Sequence, residues 1–329
     1  QNGKYDEAIE TFKLAKKKYY KNKKGYLYKK SKRELESTIW ATSAMIDSED
    51  GNFDRLPETV NTVNSEFGHG IYNDELIFSS LRADSINSGE EVYSPEYSTS
   101  IYRSKKTDVS FESSERIKSL FMEKLSTGNG SFSLDGTRFY FSLCSEENFQ
   151  YRCKIMVAQF GNNKWYAIDS LGSIINEPGS NTTMPCIANL AGQETLIFAS
   201  DREDSKGGLD LFYSPIRNGN QYKRVRALKA ANSLDNDVTP WWDDAQQRLY
   251  FSSSWHNGFG GYDVFYMQYT DRFGKPVNAG QPMNSPANDL YFFKDQDTSY
   301  ITSNRLGVMF SKNPTCCSDI FSFKPPKII

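Results

Sequence analysis

The spacing of apolar residues along the chain changes once, near residue 50. Tyr5, Ala8, Ile9, Phe12 and Ala15 recur at i, i+3, i+4 and i+7, which places them on one face of a helix. A second stretch, KKSKRELESTIWATSAMI, carries Leu35, Ile39, Thr42 and Met45 at the same period and predicts a second helix. From about Asn52 the helical period gives way to short aromatic and β-branched runs separated by Asn, Ser and Gly clusters. That is the pattern of many strands and turns.

The strand region repeats itself. GGLDLFYS (207–214), GGYDVFYM (260–267) and TCCSDIFSF (315–323) share an Asp that opens an apolar run. STSIYRS (98–104) and RCKIMVA (152–158) are weaker copies, with Ser100 and Lys154 in the place of the Asp. The aligned positions 100, 154, 210, 263 and 319 lie 53 to 56 residues apart. Upstream of each lies a second run (LIFSS, FYFSL, LIFAS, LYFSS, SYITS), and three of these lead into Ser-x-Arg at Arg82, Arg202 and Arg305. A third element recurs as IINEPGSNTTMP, AANSLDNDVTP and PMNSPANDLYF. Five copies of a unit of roughly fifty residues, each with three or four short strands, predict a mainly β fold. The expectation is a five-bladed β-propeller at 51–329 behind a short α-helical segment at 1–50. The last copy ends one strand after its Asp. Its outer strand is expected from the N-terminal segment near 52–61, which closes the ring and removes open edges.

Composition narrows the chemistry. A net charge of −2 gives no general attraction to nucleic acid or membranes. Eleven Lys or Arg lie between Lys13 and Arg33, but no recognition motif accompanies them, and a solvated helix face and linker accounts for the run. No apolar run approaches the length that spans a bilayer. Two histidines, and five cysteines without paired CxxC spacing, argue against a metal centre, and no cofactor is expected. Cys144 and Cys153 bracket SEENFQYR. A bridge there would close a loop of about ten residues and contribute roughly 2.7 kcal/mol. Cys186 would then be free and buried. Cys316 and Cys317 stand where the other repeats have Gly207-Gly208 and Gly260-Gly261, glycines that suggest a tight turn with unusual backbone angles. Neighbouring Cα atoms lie about 3.8 Å apart, whereas disulfides prefer about 4.4–6.8 Å. A vicinal bridge and two free thiols are both open.

No G-x-S-x-G elbow, P-loop, H-E-x-x-H or dinucleotide fingerprint is present, so an enzyme is not expected. Asp210, Asp263 and Asp319 recur in separate blades, too far apart for a catalytic pair, and read as caps on the turn before a strand. Arg82, Arg202 and Arg305 follow the second strand of their repeats. They either ring the central funnel and grip an anionic group, or pair within their own blades. Trp241, Trp242 and Trp255 form the densest aromatic cluster and are candidates for a binding surface or for packing between blades. His69 and His256 stand in Gly- and Asn-rich stretches and read as loop residues.

Several of these elements carry a resemblance. Gly3 to Ala15, G-x-Y-x-x-A-I-x-x-F-x-x-A, resembles the second helix of a tetratricopeptide repeat. SLDGTRFYFS, FASDREDSKGGLDLFYS and YFSSSWHNGFGGYDVFYM resemble TolB-type, WD-like propeller repeats. Helices running into ESTIWA, then NSEFGHGIYNDELIFSS, then TSNRLGVMFSKNPTCCSDIFSF, resemble the periplasmic OmpA-family proteins of the Bacteroidetes type IX secretion system. The resemblance implies a non-catalytic scaffold in protein transport, associated with the outer membrane and acting by protein–protein interaction. Its partners would be outer-membrane secretion proteins, with peptidoglycan reached through a C-terminal domain absent from this chain and a lipid anchor upstream of Gln1. The alternative is a sugar- or peptide-binding propeller.

Overall fold

The computed structural model describes residues 3–45, 53–82, 98–147, 150–162, 164–309 and 317–324. Each repeat folds as one antiparallel sheet, and the five sheets are the blades of a propeller. β1 (Asp54–Arg55) comes first in the chain but belongs to the last blade. Blade 1 holds β2 (Glu66–Tyr72), β3 (Glu75–Ser80), β4 (Ser100–Lys105) and β5 (Glu115–Arg116). Blade 2 holds β6 (Ser126–Phe132), β7 (Arg138–Glu147), β8 (Gln150–Gly161) and β9 (Lys164–Ser170). In blade 3, β10 (Thr182–Leu190), β11 (Gln193–Ser200) and β12 (Asp210–Arg217) are followed by β13 (Gln221–Tyr222) and β14 (Arg226–Ala227), both paired with β12. Blade 4 holds β15 (Asp237–Asp243), β16 (Arg248–Ser253), β17 (Asp263–Gln268) and β18 (Val277–Asn278). Blade 5 runs β19 (Asp289–Asp295), β20 (Thr298–Ser303) and β21 (Asp319–Phe323), and β1 supplies its outer strand through the pairs Asp54–Ser322 and Arg55–Phe321.

Alternation along the strands builds the core. In β7, Phe139 and Phe141 turn to blade 1, where they meet Ile77 and Ile101, while Tyr140 turns to blade 3 and meets Leu196 and Phe198. Equivalent apolar clusters fill each of the other interfaces, so both faces of every blade are buried. This explains why the strands read as continuous aromatic runs in the sequence.

The helices are α1 (Tyr5–Lys18) and α2 (Tyr26–Ala44). They form a hairpin whose end packs on a propeller loop: Tyr5 and Ala41 cover Phe259, and the Tyr5 hydroxyl donates to the Phe259 carbonyl at 3.0 Å. Ser37 and Gly258 exchange two hydrogen bonds, at 3.0 and 2.9 Å. The expected stripe of α2 is corrected by this docking. Ile39 and Met45 are exposed, and the buried face is Ser31, Leu35, Thr38 and Ala41. Ser31 and Thr38 can be buried because their hydroxyls bond back to Leu27 and Glu34 carbonyls, both at 2.7 Å. The tetratricopeptide expectation is corrected with it, since the pair turns its buried face to the propeller rather than to a stack of like repeats.

Candidate functional site

The innermost strands β2, β6, β10, β15 and β19 line the propeller axis, and each carries a β-bulge. By register, the bulges fall at His69, Asn129, Met184, Thr239 and Tyr291. The last four adopt left-handed backbone, with φ between 51° and 54°. A bulge turns a side chain out of the ladder, here toward the axis. These residues close the channel to a cavity of about 30 Å³, room for about one water. Trp241 borders this constriction and a cavity of about 210 Å³ below it, with Tyr72, Phe132 and Phe139.

His69 stands beside the constriction on β2, not in the loop expected for it. Its Nδ1 accepts the Gly130 N–H at 2.6 Å, so the proton of the neutral ring is on Nε2, which donates to Ser79 Oγ at 2.7 Å. Removal from water pushes the His69 pKa down to about 3, which keeps the ring neutral. A serine beside a histidine suggests a nucleophile and its base, but this ring gives a proton to the hydroxyl instead of taking one. Ser79 Oγ also accepts the Asn129 N–H at 3.2 Å, which leaves the serine proton to donate outward.

Outward from Ser79 lies a cleft of about 400 Å³, between the axis and the rim of blades 1 to 3. Aromatic rings come from Phe67, Tyr151 and Tyr291. Hydroxyl and amide groups come from Ser79, Thr99, Ser126, Asn129, Ser142, Asn181 and Thr183, and no charged residue is among the described lining. Tyr291 is held by a hydrogen bond with Asn129, and burial pushes its phenol pKa up. Sequence reasoning missed this cleft. Its members share no motif, because they are gathered from several strands and the loops between them.

The arginines of the Ser-x-Arg motifs turn into their own blades. Arg82 donates to Ser114 Oγ at 2.8 Å, to the Val60 carbonyl and to Glu66 at 3.3 Å, and lies over the Tyr102 ring. Arg202 reaches the Ile175 carbonyl at 2.5 Å from a seat between Phe198 and Phe212. Arg305 donates to the Met283 carbonyl and to Asp289, both at 2.7 Å. Each guanidinium thus ties the end of the second strand to the segment that enters the blade. The tryptophans separate as well. Trp241 faces the axis against Phe292, Trp242 is buried with its Nε1 donating to Asp244 at 3.1 Å, and Trp255 lies beneath α2 with its carbonyl accepting from Arg33 at 2.6 Å.

Asp210, Asp263 and Asp319 accept backbone N–H groups of the preceding turn: Lys206 and Gly207, Phe259 and Gly260, and Met309. All three are buried, and loss of hydration raises their pKa, to about 8 for Asp263. The glycine pairs before two of them are there for a different reason than expected. None has left-handed φ. A Cβ on Gly207 would lie 2.5 Å from the Leu234 carbonyl carbon, and one on Gly260 would lie 1.9 Å from the Ala287 oxygen. The need is close approach to the next blade. Cys317 is the residue with left-handed backbone, φ 74°, and it is disulfide-bonded; Cys316 lies outside the described residues. Cys144 and Cys153 form a disulfide, and Cys186 is free and buried, with its pKa pushed up to about 12. Among the described residues no group of three His, Cys, Asp or Glu is placed to hold a metal ion.

No family model and no curated protein matches the sequence. Solved structures do match. The α-L-arabinofuranosidase of Lactobacillus brevis aligns with 83% of this chain and 94% of its own at 9% identity, with a TM-score of 0.54. CoXyl43, a GH43 β-xylosidase/α-arabinofuranosidase from a compost microbial metagenome, aligns with 84% and 95% at 8% identity and 0.52. RS223 β-xylosidase aligns with 82% and 94% at 11% identity and 0.51. What is shared is the fold.

These neighbours correct the expectations drawn from the secretion-system resemblance. These three chains are glycoside hydrolases, and the reading as an OmpA-family scaffold with outer-membrane secretion partners and a tie to peptidoglycan does not stand. The motifs behind it are the Asp caps, the Ser-x-Arg ties and the aromatic strands. They hold blades together, which any propeller needs whatever it does. The expectation of no enzyme is corrected for a related reason. The absent motifs are those of elbows, phosphate loops and metal helices, whereas a glycosidase needs two carboxylates brought together from separate parts of the chain, and these leave no local signature.

Proposed function

We propose that this propeller recognises a neutral carbohydrate in the cleft on blades 1 to 3, as a sugar-directed protein built on the architecture of xylosidases and arabinofuranosidases. The lining of the cleft carries the reading: aromatic rings beside neutral hydroxyls and amides, without a formal charge. A sugar ring has apolar C–H faces that pack on Phe67, Tyr151 or Tyr291 and hydroxyls that both donate and accept. Ser79 offers its free proton, while Ser126, Ser142 and Asn129 offer groups that do both. The volume lies within the range of small-ligand sites. The Cys144–Cys153 bond supports an oxidising compartment such as the periplasm.

Xylotriose at a hundredfold excess over its Kd should stabilise the protein by about 2.7 kcal/mol, read as a rise in Tm. Tyr291→Ala should remove the rise. Absence of any shift with xylotriose, arabinotriose and cellotriose would overturn the proposal. Release of reducing ends from the same sugars, measured in parallel, decides whether recognition leads to cleavage.

A further inference from the structure

We infer that the hairpin of β7 and β8 is an outer sugar platform with Tyr151 as its stacking surface, so that the ligand spans at least two sugar rings and its grip depends on the Cys144–Cys153 bond. The inference rests on the carbohydrate reading and extends it outward from the axis.

In blades 3, 4 and 5 the middle strands stop at the pairs Ser200–Asp210, Ser253–Asp263 and Ser303–Asp319. The Asp there turns its carboxylate to the N–H groups of the preceding turn, which ends the strand. Blade 2 has Leu143 and Lys154 at this place, and neither can form that cap. The ladder continues for four more pairs, Cys144–Cys153, Ser145–Arg152, Glu146–Tyr151 and Glu147–Gln150. At about 3.3 Å per residue they carry the hairpin roughly 13 Å beyond the level at which the other blades end.

Side chains alternate along a strand, so Tyr151 and Cys153 share a face with Cys144 and Glu146. That face borders the cleft, which Cys144, Tyr151 and Cys153 all line. Tyr151 is 57% exposed, and the disulfide lies two residues along the strand from it, toward the body of the blade. At Cys144 β6 still lies alongside through the Ser126–Cys144 pair, and the three rungs beyond it are two-stranded and weak by themselves. The crosslink holds the pair in register where the tyrosine is presented, so less order has to be gained on binding. Tyr291 and Asn129 at the axis and Tyr151 on the hairpin then form the inner and outer ends of one groove floored by Ser126, Ser142 and Thr183.

The test is calorimetric titration of xylose and xylotriose into the full chain, its Tyr151→Ala and Tyr151→Phe variants, and the Cys144→Ala/Cys153→Ala double variant. Wild type should prefer xylotriose by about tenfold, the effect expected of one well-stacked ring. Tyr151→Ala should abolish the xylotriose preference, and Tyr151→Phe should retain it. The double variant should lose xylotriose affinity several-fold while its near-ultraviolet circular dichroism stays native. A xylotriose preference that survives Tyr151→Ala, or a wild type without preference, overturns the platform while leaving the axial cleft in place. A wild type that binds neither sugar overturns the carbohydrate reading, and the platform with it.

Discussion

The two halves of the ring solve the same junction with opposite chemistry. Where the third strand of one blade begins beside the first strand of the next, blades 3, 4 and 5 juxtapose acids: Asp210 with Asp237, Asp263 with Asp289, and Asp319 with Glu66. Blades 1 and 2 have Ser100 with Thr127 and Lys154 with Thr182 at the same places. The backbone is unchanged. Thr127, Asp237, Asp289 and Glu66 each donate an N–H to the carbonyl just before the neighbouring third strand, at 2.7 to 2.9 Å. In the acidic half the carboxylates cap the turns that lead into the third strands. The neutral half has no acids there, and that is where the uncharged cleft and the long hairpin lie. The acids are also compensated unevenly. Arg55 and Arg82 serve the 5/1 junction and Arg305 the 4/5 junction, while at 3/4, among the described residues, no guanidinium pairs with Asp237 and His256 lies 4.0 Å from it.

The largest effect should come from removing a guanidinium from the acidic half. Arg82→Met leaves Glu66, which is fully buried, without its charge partner, and breaking a buried pair from one side costs about 3–5 kcal/mol. Arg202→Met, on the neutral side, strips a buried carbonyl but no carboxylate and should cost about 1–3 kcal/mol. Urea midpoints of the two variants measure the difference. Equal losses would mean that the arginines act only as carbonyl ties and that the acids at the junctions are immaterial.

Next in size is the crosslink that stands in the neutral half in place of the Asp cap. Cys144→Ala/Cys153→Ala should lower stability by about 2.7 kcal/mol, the loop-closure value for a bridge across a nine-residue separation. Hydrogen exchange should localise the loss to β7 and β8. Protection lost evenly around the ring would show that the hairpin is a structural staple of the whole propeller and not a local device.

Much of this architecture could be read from the repeats, because the residues that recur are those that pack. Positions 100, 210, 263 and 319 begin the third strand of their blades and 154 lies four residues inside it, the segment near 52–61 does supply β1, and Cys144 and Cys153 do bond. The cleft was not legible, for the same reason. The axial bulges fall at His69, Asn129, Met184, Thr239 and Tyr291, five residue types of which the last four share a left-handed backbone, so no motif marks them. His69 looked like a loop residue because glycines flank it, yet those glycines border a bulge in β2. The seat of α2 was missed because its buried side chains are small hydroxyls that bond to their own helix, which a search for an apolar stripe passes over.

The smallest expected effect isolates the junction that has no arginine. Asp237 is fully buried, and loss of hydration, reinforced by the charge of Asp210, raises its pKa to about 7. His256 does not offset this, because burial lowers its own pKa and keeps the ring neutral. The unfolded chain releases the Asp237 proton near pH 4. Between about pH 4 and pH 7 the folded state therefore binds more protons than the unfolded state, and stability falls as pH rises. The contribution is whole below pH 4 and lost once pH passes 7. Asp237→Asn keeps an acceptor for the Ser233 N–H and has no proton to lose. It should leave Tm nearly unchanged at pH 5 and raise it at pH 8 by roughly 2–4 °C, the shift that about 1 kcal/mol produces in a domain of this size. A lower Tm at both pH values would mean that Asp237 is ionised and stabilising in the folded protein. The missing guanidinium would then be replaced by a cation held at the 3/4 junction, and the two halves would differ in the identity of the counter-charge rather than in its presence.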